Sequence, residues 1–374
     1  VPVVALLLAC LCGEREQRLD RPAPSSAAWP VFRGDARLRG IATATLPDSL
    51  TLAWSYRTGG ACESSPVTDG ATVFIGSADR HLYALAIDDG ALRWTYETAA
   101  KLEAPPLYAA GRVYIGDLSG TLTALDARKG TKLWSYTSGG KIVGSANLLG
   151  ENGDRIVFGS HDDTLYCLDT GEGSMVWAYE TASYINGTPA TDGDRVVFGG
   201  CDERVHVLDA VTGSSTASIE TGSYIAGSIA MDGDRAFVGT YGGTFACVDL
   251  TTHRIAWRYE IAEPFFASPA VTDTLVIAPG RDGFVHCLTR ADGALRWRCA
   301  TGGPVDSSPV VCGDKVVVGS DDGRLYLVAL ADGRVIDSYE VGAPIASSPA
   351  IGGGVVVIGD LEGYVYAFGA ASHR

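Results

Sequence analysis

Basic residues are scarce in this chain: 29 Lys and Arg stand against 44 Asp and Glu, a formal net charge of −15. No basic stripe relieves that deficit, which argues against a nucleic-acid partner, because phosphate binding needs clustered cations. The sequence also lacks Cys-x-x-Cys-His, His-Glu-x-x-His and a phosphate loop, and with them the signatures of covalent haem, zinc-protease and nucleotide chemistry. Beyond the N-terminal leader no segment has a helical period, which leaves an all-β reading. The apolar run from Val1 to Cys10 is too short to span a bilayer.

Glycine, by contrast, is abundant at 47 residues, and it returns about every forty positions at the end of one short apolar run. The run first reads Val73-Phe74-Ile75-Gly76 and closes in turn on Gly116, Gly159, Gly199, Gly239, Gly319 and Gly359, with Pro279 in the remaining place. A period of about 20 to 50 residues marks solenoids, propellers and arrays. Eighteen residues after Gly76 stands Trp94, and the same offset gives Trp134, Trp177, Trp257 and Trp297, while Ala217 and Asp337 replace tryptophan in two units. Asp-Gly pairs such as Asp69-Gly70, Asp89-Gly90, Asp282-Gly283 and Asp322-Gly323 supply hairpin turns because they accept positive φ. Each unit therefore reads as four short strands.

The third strand of a unit is apolar on both faces, as at Leu82 and Leu85 or Leu122 and Leu125, so it needs cover on both sides. Eight four-stranded antiparallel sheets that cover one another form an eight-bladed β-propeller; an open stack would expose two apolar end sheets. The eighth unit ends near Phe368 with no tryptophan strand of its own. Leu52-Ala53-Trp54-Ser55-Tyr56 stands twelve residues before Pro66, as Trp94 stands before Pro106. An N-terminal strand near residues 52–57 is expected to complete the last blade.

The chain then divides into an export leader (1–12), a flexible tether rich in Pro, Ala and Ser (13–28), a lead-in (29–49), the propeller (50–369) and a tail (370–374). Leu7-Leu8-Ala9-Cys10 resembles a bacterial lipobox, with Leu8 and Leu11 as imperfect matches. The expectation is a protein of the bacterial cell envelope. Lipidated at Cys10 it would be tethered to the periplasmic side of the outer membrane, and otherwise it would be periplasmic or secreted. Nine cysteines invite a disulfide framework. Cys167, Cys247 and Cys287, however, share one third-strand register with Ala84 and Ala124 and read as small buried hydrophobes. His206 and His286 read as packed strand residues in the register of Tyr83 and Tyr166.

The run from Ala124 to Trp134, Ala-Leu-Asp-Ala-Arg-Lys-Gly-Thr-Lys-Leu-Trp, resembles the tryptophan-docking motif of the pyrroloquinoline-quinone-like propeller repeat, with similar forms at Asp169 to Trp177 and Asp249 to Trp257. The resemblance covers the whole ring and implies a structural docking role for Trp54, Trp94, Trp134, Trp177, Trp257 and Trp297. It makes Ala217 and Asp337 the marks of weaker blades. Of two branches, the quinoprotein alcohol dehydrogenases hold quinone and calcium in the central funnel, with an adjacent cysteine pair and long insertions. The outer-membrane assembly lipoprotein family BamB is a bare protein-binding ring. This chain has no Cys-Cys pair and almost no insertions, and it is similar to the second branch. Trp29-Pro30-Val31-Phe32-Arg33-Gly34 looks like the lead-in of many exported members of the superfamily.

The resemblance implies a monomeric, non-enzymatic scaffold for a protein partner in outer-membrane β-barrel assembly, without catalytic residue, metal or cofactor. The alternative is a quinone- or ligand-dependent oxidoreductase. Alternating strand direction puts the loops between blades on one face with the turns between second and third strands. One register of those loops carries Lys101, Lys141, Tyr184 and Tyr224, and two positions further come Asn186 and Phe266. An arc from Tyr184 through Asn186 and Tyr224 to Phe265 and Phe266, beside the two lysines, is the candidate partner-binding surface, since interface anchors favour aromatics. The competing reading is that these rings pack loop against loop.

Overall fold

The structure, a computed structural model, describes residues 28–150 and 153–369. Cys10, the leader, nearly all of the tether and the 370–374 tail lie outside the described residues. Eight antiparallel sheets follow one another in chain order around a ring. Two strands precede the first blade, β1 (Ile41–Ala42) and β2 (Thr51–Arg57). Blade 1 is β3 (Val67–Thr68), β4 (Thr72–Gly76), β5 (His81–Ala86) and β6 (Leu92–Glu97), ordered from the channel outward. Blades 2 to 8 repeat this plan, with blade 2 starting at Leu107 and blade 8 at Ala350. In β5 the four central residues are all buried, as a strand covered on both faces must be.

β2 pairs antiparallel with Tyr364–Gly369, placing Trp54 opposite Ala367 and Tyr56 opposite Val365. Blade 8 is thus assembled from segments separated by the whole ring.

The repeating glycine has a packing cause. A Cβ on Gly116 would lie 2.3 Å from Ile142, and one on Gly159 would lie 2.2 Å from Ile185. Each glycine ending a second strand is the seat for the buried apolar residue of the following loop, Leu102 on Gly76 and Phe265 on Gly239 among them. A methyl group there would overpack the boundary between blades.

The tryptophans dock on the next blade. Trp94 Nε1 donates to Ala127 O at 3.0 Å, and its ring covers Gly130, where a Cβ would come within 2.6 Å. Trp54, Trp134, Trp177, Trp257 and Trp297 repeat the contact on Gly90, Gly173, Gly213, Gly293 and Gly333. By area alone, burying one indole is worth about 4–6 kcal/mol. Asp337 serves a different contact. Its carboxylate accepts the Leu50 N–H at 2.7 Å, and Leu46 and Leu50 join the core between blades 7 and 8. The lead-in thus binds the boundary where a docking tryptophan is lacking.

A ring of hydroxyls ties the inner strands together. The backbone N–H of Ser348 donates to Ser65 Oγ, Ser308 to Ser348, Ser268 to Ser308, Ser228 to Ser268, Thr188 to Ser228 and Ser145 to Thr188, all at 2.8–3.0 Å. Blade 2 breaks the chain because Pro105, in this register, has neither N–H nor hydroxyl.

Candidate functional site

One face of the ring is occupied by the lead-in. Residues 29–42 pass around the inside of the ring and bond to seven blades in order. Trp29 exchanges two hydrogen bonds with Thr68, and Tyr108 N–H donates to Pro30 O. Asn147 Nδ2 and Thr191 N–H donate to Ala36 O. Met231, Val271 and Val311 donate to Arg37, Arg39 and Gly40 carbonyls at 2.8–2.9 Å. β1 then pairs in parallel with the inner strand of blade 7.

Arg33 anchors this belt. Its side chain is buried and donates to the carbonyls of Ser308 at 3.0 Å, Pro269 at 3.1 Å and Pro309. Burial without an ion-pair partner pulls its pKa down to about 9, with Asp35 opposing. Gly40 makes room for it, since a Cβ there would sit 2.0 Å from the guanidinium.

The opposite face carries the inter-blade loops and the turns between second and third strands. Carboxylates cap these turns. Tyr83, Tyr166 and Tyr326 hydroxyls donate to Asp79, Asp162 and Asp322, and Tyr366 donates to Asp360. In blades 4 and 6 the phenol is replaced by imidazole: His206 Nε2 meets Asp202 at 2.9 Å and His286 Nε2 meets Asp282 at 3.1 Å. Burial lowers the pKa of both histidines, with the aspartates opposing. Burial opposes ionisation of Asp79 as well, but hydrogen bonds from Tyr83 and from the His81 and Gly59 N–H groups outweigh it and hold its pKa low.

The structure joins some members of the predicted arc and separates others. Tyr184 is 51% exposed and stacks on His161 at 5.0 Å. Asn186 bridges His161 Nε2 at 2.6 Å and Cys201 Sγ at 3.2 Å. Tyr224 stacks on Tyr241 at 4.3 Å, Tyr241 on Phe266 at 5.6 Å, and Arg281 caps Phe266 at 4.6 Å. Arg281 in turn grips Asp306 with two hydrogen bonds of 2.9 and 2.8 Å. Lys101 and Lys141 are exposed and partly offset the upward pKa shift of Glu103 that burial and Glu63 produce.

Phe265 requires a correction. It is 1% exposed and packs with Phe245 and Trp257 between blades 5 and 6, seated on Gly239, so it presents nothing to a partner. His161, Cys201, Tyr241, Arg281 and Asp306 complete the surface and were missed. Four of them come from the turns rather than the loops, and their residue types share no chemistry that would mark the register. Among the described residues no three His, Cys, Asp or Glu side chains form a group able to hold a metal ion.

The family model described as outer membrane protein assembly factor BamB matches residues 39–150, 144–216 and 201–374. The chain belongs to the BamB family. No curated protein matches it. Among solved structures, BamB from Moraxella catarrhalis superposes with a TM-score of 0.75 at 22% identity, over 86% of this chain and 99% of that one. A europium-containing methanol dehydrogenase gives 0.78 at 14% identity over 92% and 98%. The quinohemoprotein alcohol dehydrogenase of Comamonas testosteroni gives 0.79 at 14% over 93% and 82%. At these identities the likeness to all three is one of fold, so this BamB-family ring must be read from its own faces.

Proposed function

We propose that the protein is a scaffold holding a partner protein on its loop face, exported and tethered to a membrane through Cys10. Its place would be the assembly of outer-membrane β-barrel proteins, on the periplasmic side of the outer membrane. One observation carries the reading: the ladder Tyr224, Tyr241, Phe266, Arg281. Tyr241 has stacked neighbours on both sides and is still 44% exposed, so at its centre the ladder offers a ring edge rather than a ring face. A sugar or flat cofactor stacks on a free ring face; ring edges set among polar groups suit protein side chains. The lead-in occupies the other face, which leaves this one for contact. Family membership supports the assembly role, and the apolar leader ending in Leu7-Leu8-Ala9-Cys10 supports the location.

Replacing Tyr184 and Tyr224 together by Ala and capturing partners from solubilised membranes tests the reading. Loss of the captured protein is expected, and unchanged capture would refute it. Fatty-acid labelling that fails in Cys10→Ala would support the tether. The alternative, an oxidoreductase using pyrroloquinoline quinone and calcium, shares the fold of the two dehydrogenases and gains no further support from the described side chains. A thermal shift with quinone and calcium, followed by dye reduction with an alcohol, would reverse the choice.

A further inference from the structure

The boundary between blades 4 and 5 lacks groups that both neighbouring boundaries carry. Ala217 stands in place of the docking tryptophan, and His253 in place of the glycine beneath it. On either side, an outer-strand phenol meets an imidazole of the next blade, Tyr179 with His206 and Tyr259 with His286, and each imidazole is bonded to a turn aspartate, Asp202 or Asp282. The same registers between blades 4 and 5 hold Ile219, Ala246 and Gly242. The outer half of this boundary is thus left to small or aliphatic side chains.

The lead-in closes the inner half. Ala36 O accepts the Thr191 N–H of blade 4 and Arg37 O the Met231 N–H of blade 5, so consecutive residues straddle the boundary. Leu38 follows with φ 60, a conformation that few L residues adopt, and its side chain is fully buried in the apolar core that the two blades share. Leu46 and Leu50 serve likewise where Asp337 replaces the other tryptophan. Val31 instead joins the core between blades 2 and 3, where Trp134 is present. On the loop face the boundary between blades 4 and 5 is spanned at Tyr224. The Ile225 N–H beside it donates to Gly200 O of blade 4, Tyr224 O accepts the Tyr241 N–H of blade 5, and its ring stacks on Tyr241 at 4.3 Å.

We propose that Leu38 is the latch of this boundary: blades 4 and 5 part more readily than their neighbours, the seated leucine holds them together, and its release loosens the Tyr224–Tyr241 stack on the opposite face. Belt and contact surface then bias one two-state element, seated or parted, and by linkage whatever steadies one steadies the other. Unseating the belt weakens the surface, and a partner bound there holds the belt in place; in this respect the proposal rests on the scaffold reading and names a control of its site. A boundary that parts by itself opens at a lower free energy than the whole fold, which amide exchange detects.

The test compares three inner-strand amides of the full chain that donate across successive boundaries, Ser145 to Thr188, Thr188 to Ser228 and Ser228 to Ser268. The Thr188 amide is expected to be about tenfold less protected from exchange than the other two; equal protection of all three would overturn the latch. Leu38→Ala should lower Thr188 protection by about a further tenfold, leave Ser145 and Ser228 unchanged, and shift the ring signals of selectively labelled Tyr224 and Tyr241 but not of Tyr184. Val31→Ala, the control at a boundary that keeps its indole, should move none of these. Lost protection at all three amides in Leu38→Ala, or at none, would overturn the proposal, and unmoved Tyr224 and Tyr241 signals would overturn its link to the loop face. If Leu38→Ala folds poorly, Ala217→Trp with His253→Gly supplies the dock from within the ring and should raise Thr188 protection to the level of Ser145; no gain would be equally fatal. None of these readouts needs a partner. Unchanged capture in the tyrosine variant would therefore refute the scaffold and leave the latch standing, and equal protection of the amides would do the reverse.

Discussion

Ala217 and His253 stand in matching halves of one dock: Ala217 holds the tryptophan register of blade 4, and His253 holds the glycine register of the blade 5 turn that a tryptophan would cover. His253 keeps the left-handed conformation of its glycine counterparts, with φ 55. In the six docks that hold an indole, the residue beneath is glycine, because a Cβ would come within about 2.6 Å of the ring. The two departures are therefore physically linked, since without an indole above it the turn has room to carry a side chain.

A double-mutant cycle checks this. Ala217→Trp alone should lower the thermal midpoint because the indole meets the His253 Cβ. Ala217→Trp with His253→Gly should raise it above the parent, with a coupling of about 1–3 kcal/mol. Additive effects in thermal or denaturant melts would refute the shared dock.

Gly116→Ala should destabilise the ring by about 1–3 kcal/mol through overpacking against Ile142. Gly111→Ala is the control. Unlike Gly116 it has positive φ, and the space around the added methyl is open, so its cost should be limited to the backbone strain of about 1–2 kcal/mol. Comparison of the two denaturation curves separates close approach from conformational strain.

Acid should weaken the fold through His206 and His286. Their folded pKa values lie below the ordinary value, so the unfolded chain takes up protons first. Their contribution is complete above about pH 6.5 and is lost as pH falls below it, by up to about 1.4 kcal/mol per pH unit for each ring. The double change His206→Tyr and His286→Tyr restores the phenol found at Tyr83 and Tyr166 and should flatten the melting-temperature profile between about pH 6.5 and 5. A profile unchanged from the parent would place the acid sensitivity elsewhere.

Arg33→Met should loosen the belt while leaving the blades folded. Three carbonyls lose their donor, and hydrogen exchange at the Met231, Val271 and Val311 amides, which bond to the belt, should speed up by about tenfold or more, equivalent to about 1.4 kcal/mol of local opening. Exchange confined to global unfolding would show that Arg33 does not anchor the segment.

Period, strand count and indole offset were legible because each repeats with every blade, and a repeated packing demand leaves a repeated residue. Phe265 was misplaced although it shares a loop register with Leu102, Ile142, Ile185 and Ile225, all of them buried; aromatic character drew attention away from position. The hydroxyl ring was equally readable, since Ser65, Ser145, Thr188, Ser228, Ser268, Ser308 and Ser348 recur in step. The belt was not readable. Its carbonyls bond to backbone groups, which no side-chain pattern records, and Trp29 and Arg33 occur once with nothing to align against. The link from Asn186 to Cys201 and His161 joins three segments whose spacing reflects ring geometry rather than a motif.

The pairing of β2 with Tyr364–Gly369 sets a timetable for the ribosome's product. The segment that must seal the circle is made before the first blade and has no partner until the final strand has been made. Each intermediate length therefore carries an unsatisfied edge at both extremities, and the ring can close only once synthesis has passed the last sheet. A handler that shields those edges would act on the unfinished polymer, and its grip would be released by ring closure.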